Sequence, residues 1–366
     1  MTFSPAENLV GEKLQGMDGE SVWEVISKDS PKLDNSPGAF SVGYKVKDQH
    51  GREAYMKASD LGLLTVESAD FAERMMMALQ RHMAEKNMLD RCSGNNMDRI
   101  VVAFDHGHNV VTVDGKTEAI FFLVFEHAER GDLRVQVDKR TRLNFKWCIT
   151  ALHDLSVAIQ QLHAGDISHN DIKPANMLVF SLDLQKLADL GCATSSVIQS
   201  PHDDIHLVGD TRYASPENLY CLSAVEQQDV CTFKNRRASD IYHLASMAHY
   251  LFTGTMLTPA VMQKLRPEHR PNADEGGWTG GYKDIIPYWR SALSETLVEF
   301  EQLIRVHSEA KDEIIRPILS LIRELGEPDI SLRGHPADRV GSHDNYSLAR
   351  YVSKLANIKN RVSSGK

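Results

Sequence analysis

Ile167-Ser168-His169-Asn170-Asp171-Ile172-Lys173-Pro174-Ala175-Asn176-Met177-Leu178-Val179, followed by Leu187-Ala188-Asp189-Leu190-Gly191, is the stretch on which the reading of this chain turns. It offers a carboxylate, an ammonium two residues on, a side-chain amide five residues on, and a second carboxylate beyond a strand hairpin. Such groups suit phosphate and a hard divalent cation. Asp171 can accept a proton from an attacking hydroxyl, Lys173 can neutralise charge on a moving phosphoryl group, and Asn176 with Asp189 can hold magnesium against nucleotide phosphates. Chemistry of this kind asks the protein for positioning and compensating charge.

An isolated His-x-Asp is common and would be read as a loop. Here further anchors follow in order, and the chain resembles the eukaryotic-type protein kinases, whose catalytic loop reads HRDxKxxN and whose metal loop reads DFG. The corresponding residues are His169-Asn170-Asp171-Ile172-Lys173-Pro174-Ala175-Asn176 and Asp189-Leu190-Gly191, with residues 177–180 and 184–187 as the strands between. The resemblance implies an α+β, bilobal fold: a small antiparallel sheet lobe with one main helix at 21–126, and a large, mostly helical lobe at 127–345. Residues 1–20 are expected as a lead-in and 346–366 as a C-terminal helix and tail. It also implies ATP and Mg2+ as cofactors and a protein hydroxyl as acceptor. Lys173 favours Ser/Thr over Tyr by family analogy. The pattern is closer to eukaryotic-type kinases of bacteria than to familiar animal families.

Composition sets outer bounds. The 366 residues, 42% hydrophobic and 25% charged, are ample for a large core. A formal charge of -9 disfavours nucleic acid or an anionic membrane as the main partner. Cys92, Cys148, Cys192, Cys221 and Cys231 are scattered, with no CxxC pair, which suits a reducing compartment rather than a disulfide framework or zinc site. No basic and apolar leader opens the sequence, and no apolar run approaches the roughly 18 residues of a membrane span. A cytoplasmic protein is expected, with delivery into another cell left open; oligomeric state is not legible.

From the N-terminal side, residues 22–26, 43–46 and 53–58 pattern as strands, with Asp48-Gln49-His50-Gly51 as a hairpin turn. Lys57, in Ala54-Tyr55-Met56-Lys57, stands where the family has the lysine of VAIK. The glycine-rich loop departs from the family: aligning Phe40 and Tyr44 puts Ser36, Gly38 and Ser41 at the three glycine positions and Gly43 at the usual valine. Serine amides and hydroxyls can still donate to phosphates. A valine reduced to Gly43 and an alanine enlarged to Tyr55 look like a volume exchange, so the Tyr55 ring is predicted to reach toward Gly43. Residues 67–91 read as one helix. Glu85, in Ala84-Glu85-Lys86-Asn87-Met88-Leu89, best matches the glutamate that pairs with the lysine. Glu73 is the rival, nearer along the chain; without the family motif either would read as a solvated charge.

Residues 100–104 and 118–125 look like strands leading into Glu126-His127-Ala128, which the resemblance makes the hinge. Backbone groups of Glu126 and Ala128 would bond the adenine edge, Leu178 would contact the nucleotide, and Phe125 would be a bulky gatekeeper. Phe145, Ile149, Leu152, Leu155, Ile159 and Leu162 fall at threes and fours, a buried helical stripe. Gly209-Asp210-Thr211-Arg212-Tyr213-Ala214-Ser215-Pro216-Glu217 resembles GTxxYxAPE, but Asp210 holds the threonine place, leaving open which residue bonds Asp171 and Lys173. Glu217 would pair with Arg333, and Asp240 would brace the catalytic-loop backbone. The stretch from Glu217 to Asp240 is long for the family, so an insertion is expected within residues 221–237. His202-Asp203-Asp204-Ile205-His206 reads as a polar loop rather than a metal site. Asn170 replaces the arginine that gathers an activation-loop phosphate, so activity is expected not to require phosphate on Ser195, Ser196 or Ser200. Ala175 stands where arginine-directed kinases carry glutamate, which argues against a basic substrate motif. Residues 271–282 read as a loop, 287–307 and 310–325 as helices, and a last helix from 347 puts Leu348, Tyr351, Val352, Leu355 and Ile358 on one face.

Two other readings remain. A pseudokinase or scaffold would explain the eroded glycine loop, but its usual signature is loss of Lys57, Asp171, Asn176 or Asp189, and all four are present. A small-molecule phosphotransferase shares the Asp171 and Asn176 logic but is not expected to keep Ser215-Pro216-Glu217.

Overall fold

The computed structural model describes residues 5–17, 19–29, 41–59, 71–113, 115–139, 144–271, 276–307, 311–340 and 344–364. The chain divides into two compact units, one formed by residues 1–96, 100–128 and 198–201, the other by 97–99, 129–197 and 202–366.

In the first unit, β1 (Lys13–Gln15), β2 (Val22–Lys28), β3 (Ser41–Lys47) and β4 (Glu53–Ser59) precede helix α1 (Phe71–Gly94), and β5 (Ala103–Val113) and β6 (Lys116–Glu126) follow it. They form one antiparallel sheet in the order β1-β2-β3-β4-β6-β5. Strand alternation divides the side chains between faces. Val42, Tyr44, Val46, Ala54, Met56 and Ala58 join Trp23, Val25, Ile120, Phe122 and Val124 in one core. Gly43, Tyr55 and Lys57 therefore lie on the opposite face, as does Phe121, against which Ala78 of α1 packs.

Part of the lead-in expected at residues 1–20 instead belongs to this unit, Lys13–Gln15 as an edge strand of the sheet and Pro5–Glu7 as a helical turn. Ala6, Leu9 and Leu14 are buried in the same core as Tyr44. The Tyr44 hydroxyl donates to the Ala6 carbonyl at 2.6 Å and accepts from the Leu9 amide at 3.4 Å. A three-residue edge strand and a single helical turn are too short to print a period on the sequence. The strand expected at 100–104 also lies further on, at Ala103–Val113. Its polar run Asp105, His106, His108 and Asn109 hid it, and is tolerated because β5 ends the sheet order and bonds the 13–17 segment, Met17 N–H reaching the His106 carbonyl at 2.8 Å.

The second unit contains α2 (Leu133–Lys139), α3 (Phe145–Ala164), β7 (Ile167–Ser168), β8 (Met177–Ser181), β9 (Leu184–Leu187), β10 (Thr194–Ser195), α4 (Pro216–Tyr220), α5 (Ala224–Val230), α6 (Phe233–Thr253), α7 (Leu257–Lys264), α8 (Tyr282–Arg305), α9 (Asp312–Leu325) and α10 (Ala349–Ser364). Asn144 caps α3 by accepting from the Trp147 amide, and the predicted stripe from Phe145 to Leu162 is wholly buried. Helix α3 packs against α6, β9 and α10. The short strands pair as β7 with β10 and β8 with β9, which pins both ends of the catalytic loop.

Within residues 221–237, where an insertion was expected, the chain forms a helix, α5, opened by a reciprocal capping box between Ser223 and Glu226. Helix α8 starts at Tyr282, ahead of Pro287, because Tyr282 is anchored: its amide donates to Glu226 and its hydroxyl bonds the Pro328 carbonyl and the Ile330 amide. Leu348, Tyr351, Leu355 and Ile358 are buried at α10, while Val352 is only partly so. No described helix is long and apolar enough to cross a membrane.

Candidate active site

In the sheet unit, the pleat of β4 turns Lys57 toward α1, where Glu85 waits. The Lys57 ammonium donates to both Glu85 oxygens, at 2.9 and 3.0 Å. Glu85 is buried, whereas Glu73 is exposed at the start of the same helix. A buried carboxylate with both oxygens on one ammonium fixes that lysine tightly. Gly43 pairs with Lys57 across β3 and β4, and Lys45 pairs with Tyr55. The Tyr55 ring does reach diagonally over Gly43: a Cβ there would sit 2.2 Å from its hydroxyl. Ser41 opens β3, while Ser36, Gly38 and Phe40 lie outside the described residues. At the end of β6, the Glu126 amide donates to the Val102 carbonyl at 3.0 Å and the Glu126 carboxylate accepts from the Val102 amide at 2.8 Å. This fixes the strand end that leads into Ala128, and engages the Glu126 amide within the protein.

In the helical unit, the catalytic loop is built around Asp240 of α6. Its carboxylate accepts from the His169 and Asn170 amides at 2.9 Å each, the Ser168 hydroxyl at 2.8 Å and His163 Nε2 at 2.9 Å. Burial works against the Asp240 charge, yet the hydrogen bonds from His163 and from the Asn170 amide outweigh it and hold its pKa at about 2. His169 donates from Nε2 to the Ala188 carbonyl at 3.0 Å, which leaves Nδ1 to accept the Asp171 amide at 3.2 Å. Asn170 and Asp189 both adopt left-handed backbone, at φ 62° and 68°, a conformation Asn and Asp tolerate better than most residues.

Asp171 is held by three donors. Lys173 Nζ lies 2.8 Å and Asn176 Nδ2 3.1 Å from Oδ2, and the Asp210 amide donates to Oδ1 at 2.9 Å. Burial disfavours the charged form of Lys173, but Asp171 first, then Asp189 and Asp210, overcome this and raise its pKa. The ammonium thus sits among three carboxylates. The Ala188 amide bonds the Asn176 carbonyl at 2.8 Å, which brings Asp189 beside Asn176. Because Asn176 turns its NH2 to Asp171, its amide oxygen is the atom that can face a cation. One carboxylate and one amide oxygen fit a magnesium ion that completes its shell with water and phosphate oxygens. Among the described residues, no group of three or more His, Cys, Asp and Glu could hold a metal alone. His202 instead donates to the Gly191 carbonyl, and buried Arg236 gathers the His202 and Ile205 carbonyls.

Further along, Glu217 and Arg333 form a fork-to-fork ion pair at 2.6 and 2.7 Å, with neither side chain more than 1% exposed. Arg333 also donates to the Ala238 and Glu327 carbonyls, so the pair ties α4 to the start of α6 and the segment after α9.

This geometry agrees with comparison to known proteins, where a family model described as the protein kinase domain matches residues 37–323. The chain belongs to the protein kinase family. Among relatives of this kinase-family chain, a probable serine/threonine-protein kinase of Dictyostelium discoideum is 29% identical over 171 residues, covering 45% of this chain and 32% of that one. Serine/threonine-protein kinase Nek2 of Mus musculus is 27% identical over 186 residues, 48% of this chain and 39% of its own. Serine/threonine-protein kinase PrkC of Bacillus subtilis is 28% identical over 153 residues, 42% and 22% of the two chains. The chain thus spans between about a fifth and two fifths of the length of these relatives.

Several residues of the kinase-family site escaped the sequence reading. His163 and Ser168 complete the cradle around Asp240. Thr194 meets Asn170, whose Nδ2 donates to its hydroxyl and to the Cys192 carbonyl at 3.0 Å each. Thr211 is exposed, and from this segment the Asp210 amide is the group that meets Asp171. A Gly-Asp pair ahead of a 3-10 turn was the available signal, since Asp is a strong cap.

Proposed function

We propose that this chain is an active serine/threonine protein kinase, transferring the γ-phosphoryl group of ATP to a protein hydroxyl with Mg2+, without needing phosphate on its activation segment. The observation that supports this most is Asp171, a carboxylate held by Lys173, Asn176 and the Asp210 amide. Asp171 takes the proton of the acceptor hydroxyl. Lys173 balances charge on the transferred group, and Lys57, steadied by Glu85, offers a cation to nucleotide phosphates. Backbone groups of Glu126 and Ala128 bond the adenine edge, and Leu178 contacts the nucleotide. Asn176 and Asp189 hold the Mg2+, which supplies Lewis-acid charge compensation when bound. Independence from phosphorylation is supported by Asn170, a neutral amide that already ties the catalytic loop to β10 through Thr194 and Cys192.

The test is labelled-ATP transfer to a mixed protein extract by phosphatase-treated protein, wild type against Asp171→Ala. Label on serine and threonine that falls by at least about a thousandfold in the variant is the expected result, given what positioned bases contribute. Nucleotide binding without transfer would favour the scaffold reading. Labelled metabolite with unlabelled protein would favour a small-molecule phosphotransferase, and transfer lost on phosphatase treatment would remove the claim of independence.

A further inference from the structure

We infer that Asp210, clamped by Arg212, is a positioning residue for Asp171, supplying through its backbone amide a contact that the sequence left open. This deepens the kinase reading and rests on it. The segment before Asp210 is laid directly on the catalytic loop. Gly209 has φ 81°, and a Cβ there would fall 2.6 Å from the Asn170 carbonyl oxygen and 2.9 Å from Asp171 Oδ1, so only glycine fits without displacement. The next amide, that of Asp210, donates to Asp171 Oδ1 at 2.9 Å.

What holds that amide on target is the Asp210 side chain. Its Oδ1 accepts from the Arg212 amide at 3.1 Å, capping the 3-10 turn Thr211–Tyr213, and from Arg212 Nε at 2.9 Å. Its Oδ2 accepts from Arg212 Nη2 at 2.6 Å. The Asp210 side chain is 1% exposed and that of Arg212 46%, so a buried carboxylate is closed over by a half-exposed guanidinium. Two parallel bonds to a planar fork set orientation as well as distance. The Arg212 guanidinium also lies over the Tyr213 ring, 5.2 Å from its centroid. With Oδ1 of Asp171 engaged by the loop and Oδ2 by Lys173 and Asn176, rotation of the carboxylate is blocked from both sides. The Asp210 charge reaches Lys173 too, as one of the carboxylates that favour its ammonium form. Reading Asp210 as an exposed turn residue would leave its burial and its amide contact unexplained.

The test compares wild type with Asp210→Ala, Asp210→Asn, Arg212→Ala and the double Asp210→Ala/Arg212→Ala, measuring kcat, KM for ATP and for protein substrate, and hydrogen exchange at the residue-210 amide. Asp210→Ala and Arg212→Ala are each expected to lower kcat about tenfold, with KM for ATP changed less than about twofold, because loosening a positioned group costs rate rather than nucleotide binding. The double variant should be no slower than the slower single one, and Asp210→Asn, which keeps a capping oxygen, should outperform Asp210→Ala. Losses within about twofold, losses that multiply in the double variant, or losses confined to KM for protein would overturn the clamp. Should Asp210→Ala not fold, Arg212→Ala carries the comparison, since its side chain is half exposed. Absence of Asp171-dependent transfer in wild type would overturn the kinase reading alone. The clamp would then be decided by exchange: about tenfold faster exchange at residue 210 in Arg212→Ala supports it, and unchanged protection overturns it.

Discussion

Asp240 gathers four donors, His163 of α3 and the consecutive residues Ser168, His169 and Asn170, on one carboxylate. Its pKa is held at about 2, below the value near 3.8 of an unperturbed aspartate. A native pKa lower than the unfolded one means stability that is complete above about pH 4 and drains away as the pH falls toward 2. A shift of nearly two units corresponds to roughly 2 to 3 kcal/mol. Asp240→Asn should therefore be less stable than wild type at pH 7 by at least that amount, since its NH2 would also face N–H donors. In urea unfolding between pH 5 and pH 2, the gap between the two proteins should shrink as wild type loses its advantage. Stability curves that stay parallel across that range would show that Asp240 ionisation contributes nothing.

At the scale of elements, β3 and β4 show how a substitution in one strand is answered in its neighbour. Gly43 and Tyr55 lie on one face, diagonal to each other, and the ring occupies the volume a side chain at 43 would need. Gly43→Val should cost about 1 to 3 kcal/mol by overpacking, and much less in a Tyr55→Ala background. Equal cost in both backgrounds, measured by urea midpoint, would dissolve the coupling. This pair was legible in sequence because strand alternation fixes which residues share a face once the register is known. Asp171, Lys173, Asn176 and Asp189 were legible for a different reason: their chemistry depends on close spacing along the chain, which no tertiary contact can alter. Glu85 required a choice between glutamates on one helix, and the motif around it pointed to the buried one. What stayed hidden was structure whose signal is short or polar. Lys13–Gln15 is too brief for a period, and the polar residues of β5 have partners, Asp105 accepting from the Trp23 indole and Asn109 from the Gln15 amide. The α5 helix did announce itself, through the Ser223 and Glu226 capping box, in a stretch read only as surplus length. The Asp210 amide has no letter of its own, so the sequence offered it only indirectly, through the Gly209-Asp210 pair ahead of a 3-10 turn.

The whole molecule adds a field that no single contact describes. A formal charge of -9 favours encounter with basic over acidic molecules at long range, and under the kinase reading proposed above Ala175 offers no glutamate to select basic residues near the acceptor. These two effects act on different steps. Long-range charge changes the rate of encounter and so appears in kcat/KM, whereas in the proposed reaction the residues around Asp171 would decide which bound hydroxyl reacts. If the chain is the kinase proposed above, kcat/KM toward a lysine-rich protein should fall several-fold as ionic strength rises from about 0.01 to 0.15 M, where the screening length shrinks from roughly 30 to 8 Å. Toward an acidic protein it should rise over the same range, and kcat should change little for either. A salt response of the same sign for both substrates would mean that a local patch, not net charge, governs encounter, and would locate substrate selection in the residues around Asp171 and Arg212.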